Sequence, residues 1–413
     1  MSRSDLPLSG ERLWESLHAM ARIGARPDGG VNRLALTAED AAARAMLRDW
    51  AQAAGCTLRV DRLGSMYLTY PGADPARAPV AVGSHLDSVP TGGKYDGVYG
   101  VLAGLEIVRA LHAAGRRTRA PITIVNWSNE EGSRFSPVMA ASGAAMGFGS
   151  VDSVLAAPDR FGTTTYGAAL AGCGWAGEAD PRDAQRFAAY FEAHIEQGPI
   201  LERAGVPVGV VTHGLGVSHF DVVVTGEDGH VGSPMEGRRD ALAAAAEVIL
   251  ALERVALDKG GLATATRLAL QPDARGNIPS EVRLAASLRH GEQAGLEAMR
   301  TAFGAALDDL AARRSVPCVV EDLGGYPSVR FAPELLDALR RAAAAAGLAH
   351  RDLPTPIGHD ALHVGRVVPS AMLFIPCHGG RSHNPAESIT PEWSAAGLAV
   401  LGPAVIEAAG GIA

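Results

Sequence analysis

Four stretches of this chain concentrate residues able to do chemistry: "GSHLDSVPTGGKYDGVYG" at 83–100, "SNEEGSRF" at 128–135, "FEAHIEQG" at 191–198 and "GGRSHNPAE" at 379–387. Between them they offer His85, Asp87, Asp96, Glu130, Glu131, His194 and His383. Imidazole and carboxylate without thiolate suit Zn2+, Mn2+, Co2+ or Ni2+. A shared carboxylate with one His and one acid per ion would hold two cations about 3.5–4 Å apart. Each residue also has an ordinary reading. A lone His is usually at the surface or in a satisfied core, which is where His18, His112, His290, His350 and His363 are placed. An Asp beside glycine is usually a turn residue, and adjacent acids usually face water. Glu130-Glu131, however, follow the apolar "PITIVNWSN", and burying two acids there without a cation is costly. A bound cation would also offset the entropy lost in ordering the glycine-rich first stretch.

The elements needed to position these groups can be read from periodicity. "AEDAAARAMLRDWAQAAG" and "YGVLAGLEIVRALHAAG" are helical, each stopped by glycine, while "APVAVGSH" and "APITIVNWSNEEG" read as short buried strands. This order predicts a largely parallel sheet with helices on both faces, and places the polar clusters after strand C-termini, where open α/β sheets bind ligands. The pattern changes near residue 214. "SHFDVVVTG", "RRDALAAAAEVILALERVA", "TATRLALQP", "SEVRLAASLRH", "GLEAMRTAFGAALDDLAARR" and "VPCVVEDL" give β-α-β-β-α-β, the ferredoxin-like order. "APELLDALRRAAAAAG" and "SAMLFIP" then return to the first pattern. The expected organisation is a catalytic domain of residues 1–213 and 331–413, interrupted by an inserted α+β domain of 214–330.

Composition narrows the partners. The 413 residues carry a formal net charge of −8 with no basic block, which argues against nucleic acid or an anionic membrane. No apolar run reaches the length of a membrane span, and Met1-Ser2-Arg3-Ser4-Asp5 leads into an amphipathic "GERLWESLHAMARIG" rather than a signal segment. Cys56, Cys173, Cys318 and Cys377 form no CxxC pair, so a reducing cytoplasm is expected.

"GSHLDSVPTGGKYDGVYGV", "NEEGSRF", "AHIEQG", "HVGSPMEGRRDAL", "GNIPSEV", "GHDA" and "SHNPAE", in this order, resemble the dinuclear-metal amidohydrolases of the aminoacylase and metallo-aminopeptidase superfamily. The nearest branch is that of N-carbamoyl-L-amino-acid hydrolases, allantoate amidohydrolases and β-ureidopropionases. The resemblance implies a zinc-exopeptidase-like α/β/α catalytic domain with an inserted ferredoxin-like dimerisation domain, hence a homodimer. It implies two divalent cations on His85, Asp96 as bridge, Glu131, His194 and His383, with Asp87 orienting the His85 ring and Glu130 as general base. In the inserted domain it implies that His230 reaches the partner subunit's site and stabilises an oxyanion, while Asn277 and Arg289 hold a carboxylate-bearing small substrate. Gly358 and His359 of "GHDA" would line the pocket.

One departure bears on substrate. Where many of these proteins carry a Gln that contacts substrate, this chain reads "GLGVSHFDV", with Val217, Ser218 and His219. Valine neither donates nor accepts through its side chain; His219 either replaces the contact or is a strand residue facing solvent. The expected activity is hydrolysis of a linear C–N bond, with an N-carbamoyl-L-amino acid first and allantoate, ureidoglycolate or an N-acyl amino acid as alternatives. A non-catalytic small-molecule-binding protein is the remaining reading.

Overall fold

A computed structural model describes residues 6–413; Met1-Ser2-Arg3-Ser4-Asp5 lies outside them. The chain divides into two compact units. The first comprises the residues up to Thr212, Arg330–Leu353 and Gly358–Ala413, and the second His213–Val329 with Pro354–Ile357, a short segment that the sequence reading assigns to the first.

The first unit is built on a mixed sheet. Its strands run Thr57–Val60, Met66–Tyr70, Ile122–Trp127, Val80–His85, Ala189–Ile195, Ser370–Ile375 and then Val208–Gly214. Only the central four are mutually parallel. Antiparallel pairs flank them on both sides, so the sheet is less uniformly parallel than expected. The physical reason is visible at one end: Asp61–Ser65 is too short to make the crossover that parallel pairing requires. The central strands are buried along their whole length, as continuous apolar runs predict.

Helix Val98–Ala113 packs on three of these strands and against Gly10–Met20 and Pro391–Ala408. It is buried on almost every side, which explains its nearly uncharged sequence. Ala38–Ala53 begins at Thr37, whose hydroxyl accepts the Asp40 N–H, and is followed by Gly55 at φ 82°.

In the second unit, Gly216–Thr225, Leu262–Gln271, Glu281–His290 and Cys318–Tyr326 form an antiparallel sheet, with Gly216–Thr225 and Glu281–His290 at its centre. Helices Ala241–Lys259 and Gln293–Arg314 cover one face. Alternation decides which side chains they meet: Phe220, Val222, Val224, Val282, Leu284 and Leu288 all enter this core. A two-residue ribbon, absent from the sequence reading, pairs Gly229–His230 with Asn277–Ile278. Among the described residues, no helix is long and apolar enough to cross a membrane.

Candidate metal centre

The polar clusters converge at the C-terminal ends of the central strands. His85 closes Val80–His85, His194 lies near the end of Ala189–Ile195, and Glu130 and Glu131 follow Ile122–Trp127. Asp96 precedes helix Val98–Ala113, and His383 sits in the loop after Ser370–Ile375. Each loop turns sharply. Asn129, Gln197 and His383 all occupy the left-handed region, with φ of 57°, 56° and 52°, a conformation that non-glycine residues hold only where the surroundings enforce it. Gly97, at φ 68°, has no alternative: a Cβ there would lie 2.4 Å from the His85 ring.

Two groups of possible ligand atoms share Asp96: His85, Asp96 and His194, and Asp96, Glu131 and His383. Asp96 Oδ1 lies 3.6 Å from His85 Nε2 and 3.1 Å from His194 Nε2. Asp96 Oδ2 lies 3.3 Å from His383 Nε2, which is 3.2 Å from Glu131 Oε2. The donors therefore divide as two histidines on one side and one histidine with one acid on the other, rather than one of each per ion.

The chemistry of this donor set fits divalent cations. The Nδ1 atoms of His85 and His194 each lie 2.9 Å from a main-chain carbonyl oxygen, of Asp87 and Ile195, which places the ring proton on Nδ1 and the lone pair on Nε2. The Gly97 N–H, donating to His194 Nε2 at 3.0 Å, requires that same lone pair. Lone pairs thus face the Asp96 carboxylate, an arrangement a cation converts from repulsion into coordination. Glu131 adds an orphan: its side chain is 5 % exposed, and its buried Oε1 has no hydrogen-bond partner.

The carboxylates around these rings favour positive charge at the site, which either a proton or a cation can supply. Burial lowers the His85 pKa, but Glu130, Asp96 and Asp87 outweigh it and drive it well above the ordinary range. Burial works to raise the Asp96 pKa; His194 and its partners overcome it and hold the carboxyl well below normal. Glu130 differs from its neighbour. Its Oε2 lies 3.6 Å from His85 Nε2, outside both ligand groups. Burial, with the charges of Asp360, Glu131 and Asp87, pushes its carboxyl well above the usual range against the pull of His85.

Asp87 meets the His85 ring through its main chain. The His85 ring bonds to the Asp87 main-chain oxygen, and the carboxylate Oδ1 is 3.9 Å from Nδ1. The carboxylate instead accepts the N–H groups of Glu130 at 3.2 Å and Glu131 at 3.3 Å. An acid two residues after a His can turn either its side chain or its backbone to the ring, and spacing does not distinguish these.

His359 is buried against the cluster, its ring centroid 4.5 Å from that of His194. Burial and the neighbouring His194 hold it neutral, well below the ordinary pKa, and its Nε2 has no hydrogen-bond partner. Gly358 immediately precedes it. The remaining candidates belong to the second unit. His230 and Asn277 are direct cross-strand partners on the exposed ribbon. The Gly232 N–H donates to His230 Nδ1 at 3.0 Å, leaving the proton on Nε2, which can donate to an oxygen. Arg289 stands opposite buried Val217, and its Nη1 donates to the Pro356 carbonyl at 2.6 Å. His219 stands opposite Ser287; burial and the Arg289 charge lower its pKa.

Sequence reasoning missed three residues. Gln197 and Ser382 both donate to Asp96 Oδ2, at 2.9 and 2.7 Å, and Glu387 accepts the main-chain N–H groups of Tyr95 and Asp96. All three lie within quoted clusters, but uncharged or chain-distant groups carry no ligand signal of their own.

A mixed α/β fold with histidines and carboxylates gathered at its strand ends fits the class of metal-dependent hydrolases. The chain belongs to peptidase family M20/M25/M40, which its residues 81–407 match. It is 41% identical over 405 residues to an N-carbamoyl-L-amino-acid amidohydrolase of Rhizobium meliloti, covering 97% of each chain. It is 30% identical to a ureidoglycolate hydrolase of Arabidopsis thaliana, over 96% of this chain and 86% of that one. Among solved structures, an amidase of the hydantoinase/carbamoylase family from Burkholderia multivorans superposes with a TM-score of 0.92 at 42% identity, covering 98% of both chains.

Proposed function

We propose that this protein hydrolyses the linear C–N bond of an N-carbamoyl-L-amino acid, converting it with one water to the amino acid, CO2 and ammonia. The observation that carries the reading is Glu130: a buried, desolvated carboxyl beside a shared-carboxylate donor set of which it is not a member. His85, His194 and Asp96 would hold one divalent cation, and Asp96, Glu131 and His383 a second, Zn2+ or else Mn2+, Co2+ or Ni2+. Bound there, such cations supply Lewis acidity, lowering the pKa of water and polarising the carbonyl oxygen. Glu130 takes the proton of the attacking water at a carboxylate oxygen and returns it to the leaving nitrogen. Asp87 fixes the main chain that carries Glu130 and Glu131. His359, neutral and unpartnered at Nε2, is available to the carbamoyl group.

In this reading Arg289 and Asn277 hold the substrate carboxylate and carbonyl region, and His230 of a second copy donates from Nε2 to the developing oxyanion. Pairing through the second unit is supported by its sheet edges, where Leu262, Leu268, Val319, Val320 and Leu323 are exposed. Val217, buried opposite Arg289 in place of a polar residue, favours a second reading: a ureido substrate such as ureidoglycolate or allantoate, or an N-acyl amino acid. A hydrolysis screen of the metal-loaded protein on N-carbamoyl, ureido and N-acyl compounds decides between them. Chelation should abolish turnover and one of the four cations restore it; full activity in a preparation shown to be metal-free would end the reading.

A further inference from the structure

We infer that Glu387 is the positioning residue of this centre: it fixes the main chain of Asp96, and the loop that carries it brings Ser382 to the outer oxygen of the Asp96 side chain, so that the shared carboxylate is set before any cation arrives. The inference rests on the metal reading above. Glu387 is 3 % exposed and lies 291 residues from Asp96 in sequence. Its Oε1 accepts the N–H of Tyr95 at 2.8 Å and of Asp96 at 3.2 Å. Its Oε2 lies 3.3 Å from Ser382 Oγ, which donates to Asp96 Oδ2 at 2.7 Å. Gln197 Nε2 binds the same two atoms, Asp96 Oδ2 and Ser382 Oγ, each at 2.9 Å.

A free carboxylate spins about its last side-chain torsion, whose energy profile is broad. Two donors on Oδ2 stop that rotation and leave Oδ1 facing His85 and His194. The loop is shaped for this task. Asn384 folds it, its carbonyl accepting the Glu387 N–H at 3.0 Å and its side chain the Ala386 N–H at 2.9 Å. One short turn therefore presents His383 to Asp96 and anchors Asp96 from behind. The other side of the contact requires glycine: a Cβ on Gly93 would lie 2.0 Å from the Glu387 carboxyl carbon.

The test measures cation affinity by chelator competition, and the absorption spectrum of the Co2+-loaded protein, on wild type, Glu387→Ala, Glu387→Gln and Glu387→Asp. Glu387→Ala, folded by circular dichroism, should bind about 10- to 100-fold more weakly, with a shifted Co2+ spectrum. Glu387→Gln should restore both, because its amide oxygen accepts the two N–H groups and its nitrogen donates to Ser382. A purely structural Glu387 would lower the melting temperature and leave affinity and spectrum unchanged, which would overturn the inference; so would a Gln variant as weak as Ala. If Glu387→Ala does not fold, Glu387→Asp, whose shorter side chain draws the carboxylate back from the Tyr95 and Asp96 N–H groups, carries the test: weakened binding supports the inference, wild-type affinity overturns it. Failure of the wild type itself to bind two cations would instead sink the metal reading.

Discussion

Glu130 and Glu131 are neighbours in sequence for which we propose different tasks. Glu131 lies 3.2 Å from His383 within one of the two groups of possible ligands, while Glu130 lies 3.6 Å from His85 and belongs to neither group. Glu130→Gln keeps the volume but cannot accept a proton. Metal content by elemental analysis should be unchanged and kcat should fall at least about 10²-fold. Glu131→Gln should instead lose metal, with activity partly recovered by excess cation. An exchange of these two phenotypes would reverse the assignment. His363 offers a test away from the centre. Burial and the nearby Arg366 charge lower its pKa to about 4, so the folded protein disfavours the proton that the unfolded chain binds below about 6.5. Its stabilising effect is therefore complete above pH 6.5 and lost as the pH falls toward 4. Relative to His363→Gln, the wild type should lose on the order of 2–3 kcal/mol across that window in urea titrations. Parallel curves for the two proteins would refute this.

At the scale of elements, a buried ion pair within helix Ala38–Ala53 is linked through Arg44 to Ser128, in the segment that leads from strand Ile122–Trp127 to Glu130. Asp40 and Arg44 bond at 2.8 Å with side chains no more than 1 % exposed. Arg44 also donates to the Gly64 carbonyl and to Ser128 Oγ, one residue before Asn129. Tyr166 donates to the same Ser128 oxygen. Asp40→Ala strands the guanidinium in the core and should cost about 3–5 kcal/mol in chemical denaturation. Because Ser128 then loses an ordered partner, kcat should also fall in the protein that remains folded. A double change of Asp40 and Arg44 to apolar residues should recover much of the stability without recovering the activity, since the link to Ser128 stays broken.

For the whole molecule, the proposal that His230 serves the site of a second copy has a sharp consequence. His230→Ala and Glu130→Gln should each be nearly inactive alone. Mixed under conditions of confirmed subunit exchange, up to about half the dimers should pair one of each, and every such dimer holds one intact site. Recovered activity should scale with the fraction of mixed dimers. No recovery would assign His230 to its own chain or to no catalytic role. Sedimentation of the wild type provides the companion measurement, and a monomer at assay concentration would remove the premise.

Periodicity and residue chemistry were enough to establish the element order, because apolar spacing is a local property: the central strands, helix Val98–Ala113 and the β-α-β-β-α-β run all lie where their patterns predict. Residue chemistry alone offered His85, Asp87, Asp96, Glu130, Glu131, His194 and His383 without dividing their roles; the five-residue ligand set was implied by the family resemblance, and the fold brings those five into two groups that share Asp96. Three-dimensional proximity decided the rest. Glu387 meets Asp96 across 291 positions, and Gly93 matters only because a carboxyl occupies the space of its missing Cβ. Asp87 turns its backbone, not its carboxylate, to His85, a choice of rotamer that spacing cannot express. The division of donors into two histidines on one side and one on the other is likewise settled by where four strand ends meet, and no single strand carries that information.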